Sequence, residues 1–295
     1  MKKLILTCVV MTFFVMDYTQ AGTWTTIDMP GAHGTYANSI SGSNIVGLYG
    51  DDSGDHGFLY NGSTWTTLDM PGAYWTEARG VSGSNIVGQY GDPISGGWHN
   101  FIYNGSDWTT LDVHGASWSV VSGIDGSNIV GDYEDASGSH GFLYNGSGWT
   151  TLDMLGAYWT SATGIDGSNI VGMYEDAFGI HNFLYNGATW TTLDMPGVHN
   201  TWALGISGSN IVGFYDDASG GEHGFLYDGR NWNTLDMPGA DATLAYGISG
   251  SNIVGEYWDA SGIQHGFIYT IPEPTTVLLL GLGGISLILR KRSRV

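Results

Sequence analysis

The chain has few basic residues and a single cysteine. Eight lysines and arginines stand against 28 acidic residues among 295, which gives a formal net charge of −20. A surface this acidic repels nucleic acid and anionic lipid, so we expect no nucleic-acid partner. Cys8 lies in an apolar N-terminal stretch that we expect to be removed. The mature protein is then predicted to have no disulfide, no cysteine metal site and no cysteine nucleophile.

The common catalytic signatures are missing as well. The sequence contains no GxSxG, no HExxH and no phosphate-binding loop. Its acidic pairs all lie in loops that repeat along the chain, and no single repeat carries a distinctive acid, base and nucleophile. We therefore predict a protein that is not an enzyme.

What the sequence does contain is one stretch written about six times. The tryptophan of the phrase WTTLD and the asparagine of the phrase SNIVG recur with the same five steps of 41, 43, 41, 41 and 42 residues. Because two independent markers keep the same spacing, the chain is a true repeat protein. The tryptophans are Trp24, Trp65, Trp108, Trp149, Trp190 and Trp232, and the asparagines are Asn44, Asn85, Asn128, Asn169, Asn210 and Asn252.

Each repeat reads as four short strands joined by turns. Small residues such as Ala78 centre the first strand, where we expect crowding near an axis, and NIVGxY forms the second. An acidic loop leads to the third strand, GFLY, and an Asn-Gly hairpin leads to the fourth, TWTTLDM. The strand-four tryptophans are predicted to be core residues.

Four short strands every 41–43 residues are typical of propeller blades. The first phrase, at residues 22–31, is a fourth strand without a blade, whereas the last repeat stops at its third strand, His265–Tyr269. The N-terminal strand can therefore complete the last blade and remove two sheet edges. We predict an all-β, six-bladed β-propeller over residues 22–270, closed in this way.

The repeat also resembles the extracellular HAF-type repeat, in which a His-Ala-Phe triplet begins the third strand. Here the triplet is His-Gly-Phe or His-Asn-Phe. The resemblance spans nearly all of residues 22–270 and implies the same fold, but it brings no dependable activity. Each of the six histidines should lie on a different blade, so we expect hydrogen bonds to neighbouring turns rather than a shared metal ion.

The N-terminus is predicted to be an export signal. Lys2 and Lys3 precede an apolar run, and the small residue Ala21 follows a short polar stretch. This order of parts is typical of a secretory signal peptide over residues 1–21. A buried helix is the alternative.

The C-terminus, residues 271–295, resembles the PEP-CTERM sorting signal of Gram-negative bacteria. Pro272, Glu273 and Pro274 precede an apolar run that ends in a basic cluster. The resemblance implies an exosortase-type membrane peptidase as partner and an exported, surface or extracellular-matrix destination. The 15-residue apolar run would span roughly 22 Å as a helix, which suits a temporary inner-membrane anchor as the only membrane contact. A permanent anchor is the alternative.

Aromatic residues and carboxylates gather in the two long loops of each repeat, which should emerge on one face of the ring. Aromatic rings stack on pyranose faces, and carboxylates accept hydroxyl hydrogens, so glycan is the expected partner. The alternative is that the rings pack between blades and the acids cap turns. The predicted ligand-binding residues are Tyr74, Trp75, Trp98, Trp118, Tyr158, Trp159, Trp202 and Trp258.

The same acidic loops could hold structural calcium, because clustered carboxylates suit a hard cation. No loop matches the twelve-residue helix-loop-helix calcium pattern, and Asp-x-Ser-Gly forms turns without any ion. The predicted calcium residues are Asp51, Asp52, Asp135, Asp176, Asp217 and Asp259.

We therefore expect an exported binding or structural module, with extracellular polysaccharide or glycan as the partner and no cofactor other than calcium. One alternative is a purely structural matrix protein, and another is a polysaccharide-cleaving enzyme. Six-bladed sialidases need several arginines around a carboxylate, whereas only Arg79 and Arg230 lie in residues 22–270. Paired carboxylates for glycoside hydrolysis stay open, because spacing across blades is invisible in sequence.

Overall fold

The structure, a computed structural model, describes residues 22–198 and 200–272. Within these ranges the regular secondary structure consists of β-strands alone. The 24 strands form six antiparallel four-stranded sheets. This confirms the predicted all-β propeller with six blades. Residues 24–271 form one compact unit. The predicted signal peptide and, beyond Pro272, the predicted sorting segment lie outside the described residues.

Five blades are continuous in sequence and run from the innermost strand to the outermost. Blade 1 consists of β2 (Gly34–Ser41), β3 (Asn44–Asp51), β4 (Gly54–Tyr60) and β5 (Trp65–Leu68); blade 2 of β6 (Trp75–Ser82), β7 (Asn85–Gly91), β8 (Trp98–Tyr103) and β9 (Trp108–Thr110); blade 3 of β10 (Trp118–Asp125), β11 (Asn128–Asp135), β12 (Gly138–Tyr144) and β13 (Trp149–Leu152). Blade 4 consists of β14 (Trp159–Asp166), β15 (Asn169–Asp176), β16 (Gly179–Tyr185) and β17 (Trp190–Thr192); blade 5 of β18 (Asn200–Ser207), β19 (Asn210–Asp216), β20 (Glu222–Tyr227) and β21 (Trp232–Leu235).

Blade 6 joins the two ends of the ring. It contains β22 (Ala242–Ser249), β23 (Asn252–Trp258), β24 (Gln264–Thr270) and, beside β24, the N-terminal strand β1 (Thr23–Ile27). The Trp24 ring lies 5.0 Å from Phe267 and 4.6 Å from Tyr269, measured between centroids. This arrangement confirms the predicted closure and removes the sheet edges that two unpaired strands would expose.

A ring of hydrogen bonds ties each blade to the next at the short-turn face. In blades 3 and 4, for example, the Gly167 amide donates to the Asp125 carboxylate at 2.8 Å. The same bond recurs between blades 6 and 1, where the Gly42 amide donates to the Ser249 hydroxyl at 3.1 Å. The seam between the chain ends therefore repeats the geometry of the other seams.

The hydrophobic core lies between adjacent blades. Between blades 3 and 4, Val130 packs in one cluster with Ala162, Ile170 and Phe183, all of them buried. The small first-strand residues belong to this interblade core, so the prediction that they crowd the axis was wrong. Alternation along the strand explains the difference, because the neighbours of each alanine are the residues that face the axis.

The strand-four tryptophans lie at the border of this core. They are mostly half-buried, and each packs edge-to-face on the strand-three phenylalanine of its own blade, as Trp190 does on Phe183 at 4.7 Å. Trp149 is the most exposed of them, at 36%. The predicted core role is therefore confirmed only in part, since these rings cover the outer edge of the interblade core.

The glycine of SNIVG is required by close approach of two strands. A Cβ on Gly172 would lie 2.1 Å from the Ser161 carbonyl oxygen and 2.8 Å from the Phe183 ring. A β-bulge between Ala162 and Gly164 brings the first strand this close. Any side chain here would displace either the backbone or the phenylalanine.

Two blades carry asparagine where the others have glycine at the start of the third strand. The Asn182 amide donates to the Thr201 carbonyl at 2.8 Å and accepts from the Ala203 amide at 2.7 Å, so it pins blade 4 to blade 5. Asn100 makes the equivalent bonds between blades 2 and 3. In these two blades the fourth strand ends one residue earlier.

The six histidines form hydrogen bonds within their own blades, as the sequence predicts. In blade 1, His56 Nδ1 lies 3.0 Å from the Asp69 carboxylate and Nε2 lies 2.9 Å from the Ser53 hydroxyl. The Ser53 hydroxyl also donates to Asp51 at 2.6 Å. Because the Ser53 hydroxyl proton is donated to Asp51, the serine is not a free nucleophile. Ser53, His56 and Asp51 together hold the loop between the second and third strands in place. In blade 6 the equivalent aspartate is Asp28, which reaches His265 at 2.9 Å from the other end of the chain.

Candidate functional site

The repeats differ from one another at three positions inside their inner strands. The first strands follow a pattern close to Thr-x-Ala-x-Gly-Ile, and the second strands read NIVGxY. Because side chains alternate along a strand, the x residues of the first strand lie on the face opposite the alanine that packs in the interblade core. We call these the axial positions: Tyr36, Asn38 and Leu48; Glu77, Arg79 and Gln89; Val120, Ser122 and Asp132; Ser161, Thr163 and Met173; Trp202, Leu204 and Phe214; Leu244, Tyr246 and Glu256.

Most of the axial positions line one cavity on the axis. Its volume is about 680 Å³, and Trp98 and Trp118 also border it. Both tryptophans begin strands at the face where the long loops emerge. A second space of about 70 Å³ shares Arg79 and Tyr246 with this cavity and has aliphatic residues such as Ile40 and Ile165 in its wall, toward the short-turn face. We call the larger cavity the axial pocket, and its wide end is the end bordered by Trp98 and Trp118.

One side of the axial pocket carries a charged, hydrogen-bonded network. Arg79 pairs with Glu77, with Nη2 at 2.8 Å and Nε at 3.0 Å from Oε2. Asn38 donates to the other Glu77 oxygen at 3.1 Å. Ser161 donates to Asp132 at 2.7 Å. Burial raises the pKa of Asp132, although the Ser161 hydrogen bond and the Arg79 charge oppose the rise.

A second polar group lines the axial pocket where blades 6 and 1 meet. Tyr246 donates to Glu256 Oε1 at 2.8 Å, and Tyr36 donates to Gln264. Glu256 is only 5% exposed. Burial, with a contribution from the charge of Glu222, raises the pKa of Glu256 to about 7, against the hydrogen-bonding effect of Tyr246 and a weaker one of Trp258.

The second carboxylate oxygen of Glu256 is unusual. Among the residues that the structure describes, no donor lies in hydrogen-bonding geometry with the buried Oε2, although Trp258 is near enough to Glu256 to lower its pKa. The ionised Glu256 also affects its neighbours, because burial and then the Glu256 charge raise the pKa values of Tyr246 and Tyr36. Both phenols are therefore neutral hydrogen-bond donors.

Half of the predicted ligand-binding aromatics come together in blades 2 and 3. Tyr74 contacts Trp75 at 6.5 Å, and Trp75 contacts Trp98 edge-to-face at 5.6 Å. Trp98, 57% exposed, and Trp118, 40% exposed, border the axial pocket. Gly91 makes room for this group, because a Cβ there would lie 2.3 Å from both Tyr74 and Trp75.

The other four predicted aromatics do not join this group. Trp159 donates its indole N–H to Glu175 at 2.5 Å, and Trp202 stacks on Phe214 at 4.6 Å. Tyr158 and Trp258 are exposed in blades 4 and 6. None of these four residues lines the axial pocket, although Trp258 is near enough to the lining residue Glu256 to lower its pKa.

The predicted calcium residues lie at the strand-two to strand-three loops of five blades, two of them in blade 1 and one in each of blades 3 to 6. Five of them accept amide hydrogens from their own loop, as Asp51 does from Ser53 at 2.7 Å, and the equivalents are Asp135, Asp176, Asp217 and Asp259. Asp52 instead lies 3.3 Å from His33. Over residues 22–198 and 200–272, no three His, Asp or Glu side chains converge in a way that could hold a metal ion. Calcium binding stays a prediction.

Sequence reasoning did not recognise the axial positions as a set, and Trp202 is the one of them among the predicted ligand-binding residues. Attention to the long loops found Trp98 and Trp118, but it placed Glu256 among the acidic-loop carboxylates and assigned neither Glu77 nor Arg79 to a binding site. A signal was present, because these are the places inside the strands where otherwise similar repeats differ in charge, size and polarity. Reading the differences between repeats, as well as their common phrases, would have indicated them.

Comparison with known proteins bears on the C-terminus and on the fold. Residues 270–293 match the PEP-CTERM protein-sorting motif, which implies export through an exosortase to the cell surface. This confirms the predicted sorting signal, whereas the resemblance to the HAF-type repeat stays a prediction. No curated protein is similar in sequence. Within the described residues, no helix is long and apolar enough to cross a membrane.

Among solved structures, the chain is similar to the β-propeller domain of the Trilobed protease from Pyrococcus furiosus, with 8% identity, a TM-score of 0.52, and coverage of 83% of this chain and 97% of that one. It is also similar to the fucose-specific lectin from Aleuria aurantia, with 14% identity, a TM-score of 0.44, and coverage of 85% and 100%. A sialidase from Trypanosoma rangeli has 9% identity, a TM-score of 0.49, and coverage of 84% and 55%. At these identities the first likeness concerns the fold alone, and the other two carry no argument.

Proposed function

We propose that this exported propeller is a non-catalytic module that binds extracellular polysaccharide, and that the ligand enters the axial pocket from the long-loop face. It acts at the outer surface or in the extracellular matrix, after transient anchoring in the inner membrane. The observation that carries the proposal is the location of sequence divergence. The repeats keep their core residues, yet most of the positions at which their inner strands differ line one cavity.

The chemistry of the axial pocket suits a sugar chain. Trp98 and Trp118 present exposed rings at its wide end, and such rings stack on the apolar faces of pyranoses. Deeper in, hydroxyl, amide and carboxyl groups of Ser161, Asn38 and Asp132 can exchange hydrogen bonds with sugar hydroxyls. The volume of about 680 Å³ falls within the range of small-molecule sites, roughly 300–1,000 Å³.

A purely structural role is the main rival. A propeller with only a structural role in the matrix would not need axial residues that differ from blade to blade. The charged network of Glu77, Arg79 and Asp132 is found in blades 2 and 3 only, and a spacer would need no such charged groups on the axis. This asymmetry favours ligand binding.

A polysaccharide-cleaving enzyme is the second candidate. One observation favours it: burial raises the pKa of Glu256 to about 7, and glycoside hydrolysis uses one carboxyl group with a raised pKa beside an ionised one. Against it, the other carboxyl groups that line the pocket, those of Glu77 and Asp132, belong to blades 2 and 3, and Glu77 is already paired with Arg79. Replacing Glu256 by Gln and Asp132 by Asn should leave binding measurable; turnover by the wild type that both changes abolish would establish the enzyme instead.

The binding proposal is tested with a glycan array on the purified full chain, followed by titration calorimetry with the glycans retained. Trp98→Ala and Trp118→Ala should each weaken binding about tenfold or more, because buried aromatic contacts dominate such sites. Trp149→Ala, which removes a tryptophan of similar exposure on an outer strand, is the control and should bind as the wild type does. Silence across the array, or equal losses in all three variants, would count against the axial pocket.

A further inference from the structure

The axial pocket has an excess of negative charge. Three carboxyl groups, from Glu77, Asp132 and Glu256, face a single guanidinium, that of Arg79. Arg79 is already paired with Glu77 through two contacts of 2.8 and 3.0 Å. The pair is neutral as a unit, so Arg79 opposes the rise in the pKa of Asp132 less than the Ser161 hydrogen bond does, and Glu256 has no counter-ion among the described residues that line the pocket. A ligand that brings a positive charge would be favoured there, and an acidic polysaccharide would be repelled.

One atom in the pocket wall lacks a partner. Tyr246 uses Glu256 Oε1 at 2.8 Å, while Oε2 is buried and receives no hydrogen bond within the described residues. Buried acceptors are normally satisfied, and an unsatisfied carboxylate oxygen carries the full penalty of its lost hydration. A donor supplied by the ligand would remove that penalty.

A charged donor fits both observations better than a neutral one. A sugar hydroxyl or an N-acetyl amide can donate to Oε2, but neither brings charge to balance Glu256. An ammonium group donates up to three hydrogen bonds and also forms an ion pair with the carboxylate. In a partly dehydrated pocket such a pair is stronger than it would be in water.

We propose that the axial pocket is selective for amino sugars with a free, protonated amine, and that Glu256 Oε2 receives the ammonium group while a neighbouring sugar stacks on Trp98 or Trp118. This inference rests on the proposed function and names its ligand class. It predicts an order of affinity in which cationic oligosaccharides bind best, neutral ones less well and uronic-acid oligosaccharides least.

The test compares two oligosaccharides of equal length that differ only at nitrogen. Glucosamine tetramer and its fully N-acetylated counterpart are titrated into the purified full chain at pH 7, where a substantial share of Glu256 is ionised, and at fixed ionic strength. The wild type should bind the free amine at least tenfold more tightly. Glu256→Gln keeps the side-chain shape but removes the charge, so the two tetramers should then bind with nearly equal affinity. The affinity for the acetylated tetramer should change less than threefold.

Glu222→Gln is the matched control. Glu222 is near enough to influence Glu256 electrostatically but does not line the pocket, so this variant should keep most of the preference for the amine. Equal binding of both tetramers by the wild type would overturn the inference and leave the proposed function standing. Absence of binding to these and to every other glycan would instead overturn the proposed function. A preference that survives in Glu256→Gln would show that the amine binds elsewhere.

Discussion

Replacing Glu256 by glutamine should stabilise the propeller, and the gain should grow with pH. Burial raises the pKa of this carboxyl group from 4.5 to about 7 in the folded protein. The native state therefore holds a proton that the unfolded chain has already released between those two values. Unfolding stability falls with pH wherever the native state binds more protons, so the wild type loses stability as pH rises through this window.

The size of the effect follows from the two pKa values. They differ by about 2.5 pH units, the difference between about 7 and 4.5, and each unit is worth about 1.4 kcal/mol. The ionised carboxylate therefore costs the native state about 3 kcal/mol above pH 8. Glutamine does not titrate in this range. The free energy of unfolding of Glu256→Gln should therefore follow that of the wild type with pH, but without the fall of about 3 kcal/mol that ionisation of Glu256 causes.

Urea unfolding followed by tryptophan fluorescence from pH 4.5 to 9 measures the difference. Hydrogen bonds and the charges of neighbouring aspartates raise the pKa values of His181, His223 and His265 against the effect of burial. Their stabilising contribution is complete below about pH 6.5 and is lost as pH rises through the folded values. That loss has the same sign as the Glu256 effect but is common to both proteins, so it cancels in the difference.

The exposed residue Glu134 provides the control, because Glu134→Gln makes the same substitution on the surface, where it should change stability by less than about 0.5 kcal/mol. A difference between wild type and Glu256→Gln that stays constant from pH 4.5 to 9 would refute the reasoning. It would mean that Glu256 is solvated in the folded protein, and the argument for its unpartnered oxygen would weaken with it.

Three further changes test the fold. Trp24→Ala removes the ring that the first strand packs into the last blade, and urea unfolding should show a loss of about 3–5 kcal/mol; a loss no larger than that of the more exposed Trp149→Ala would contradict closure. Asn182→Gly deletes two hydrogen bonds between blades 4 and 5 and should lower the free energy of unfolding by about 1–3 kcal/mol. An unchanged free energy of unfolding would contradict this role and show that water replaces the two bonds. Gly172→Ala places a Cβ 2.1 Å from a carbonyl oxygen and should lower the melting temperature by more than 10 °C, whereas Gly148→Ala, which meets no atom within 4 Å, should have little effect.

Much of the fold could be predicted because its information is local and repeated. Spacing between Trp65 and Trp108 and their equivalents counts the blades, Asn-Gly and Asp-Gly pairs mark the hairpins, and alternation marks the strands. Ring closure also followed, since a chain that begins with a fourth strand and ends with a third has one economical way to pair both. The role of the first-strand alanines was misread, because sequence shows that a residue is small but not which surface it faces.

The candidate site was predicted only in part, for a physical reason. Trp98 and Trp118 could be assigned to one face from loop length alone, but their shared border on a cavity depends on how adjacent blades pack. Trp159 and Trp202 look the same as Trp98 and Trp118 in the sequence. In the structure, however, the Trp159 indole donates a hydrogen bond to Glu175 and the Trp202 ring stacks on Phe214. A pattern of residues gives the candidates, and their contacts decide which are available.

The sequence by itself determined the repeat, the number of blades, the closing strand and the sorting signal, because each is written in contiguous residues. Only the tertiary structure decided the axial pocket. Glu77 and Glu256 are about 180 residues apart along the chain, and the closed ring places them in the wall of one cavity. The raised pKa of Glu256 and its unpartnered oxygen come from that enclosure, since burial removes the water that would otherwise hydrate the carboxylate.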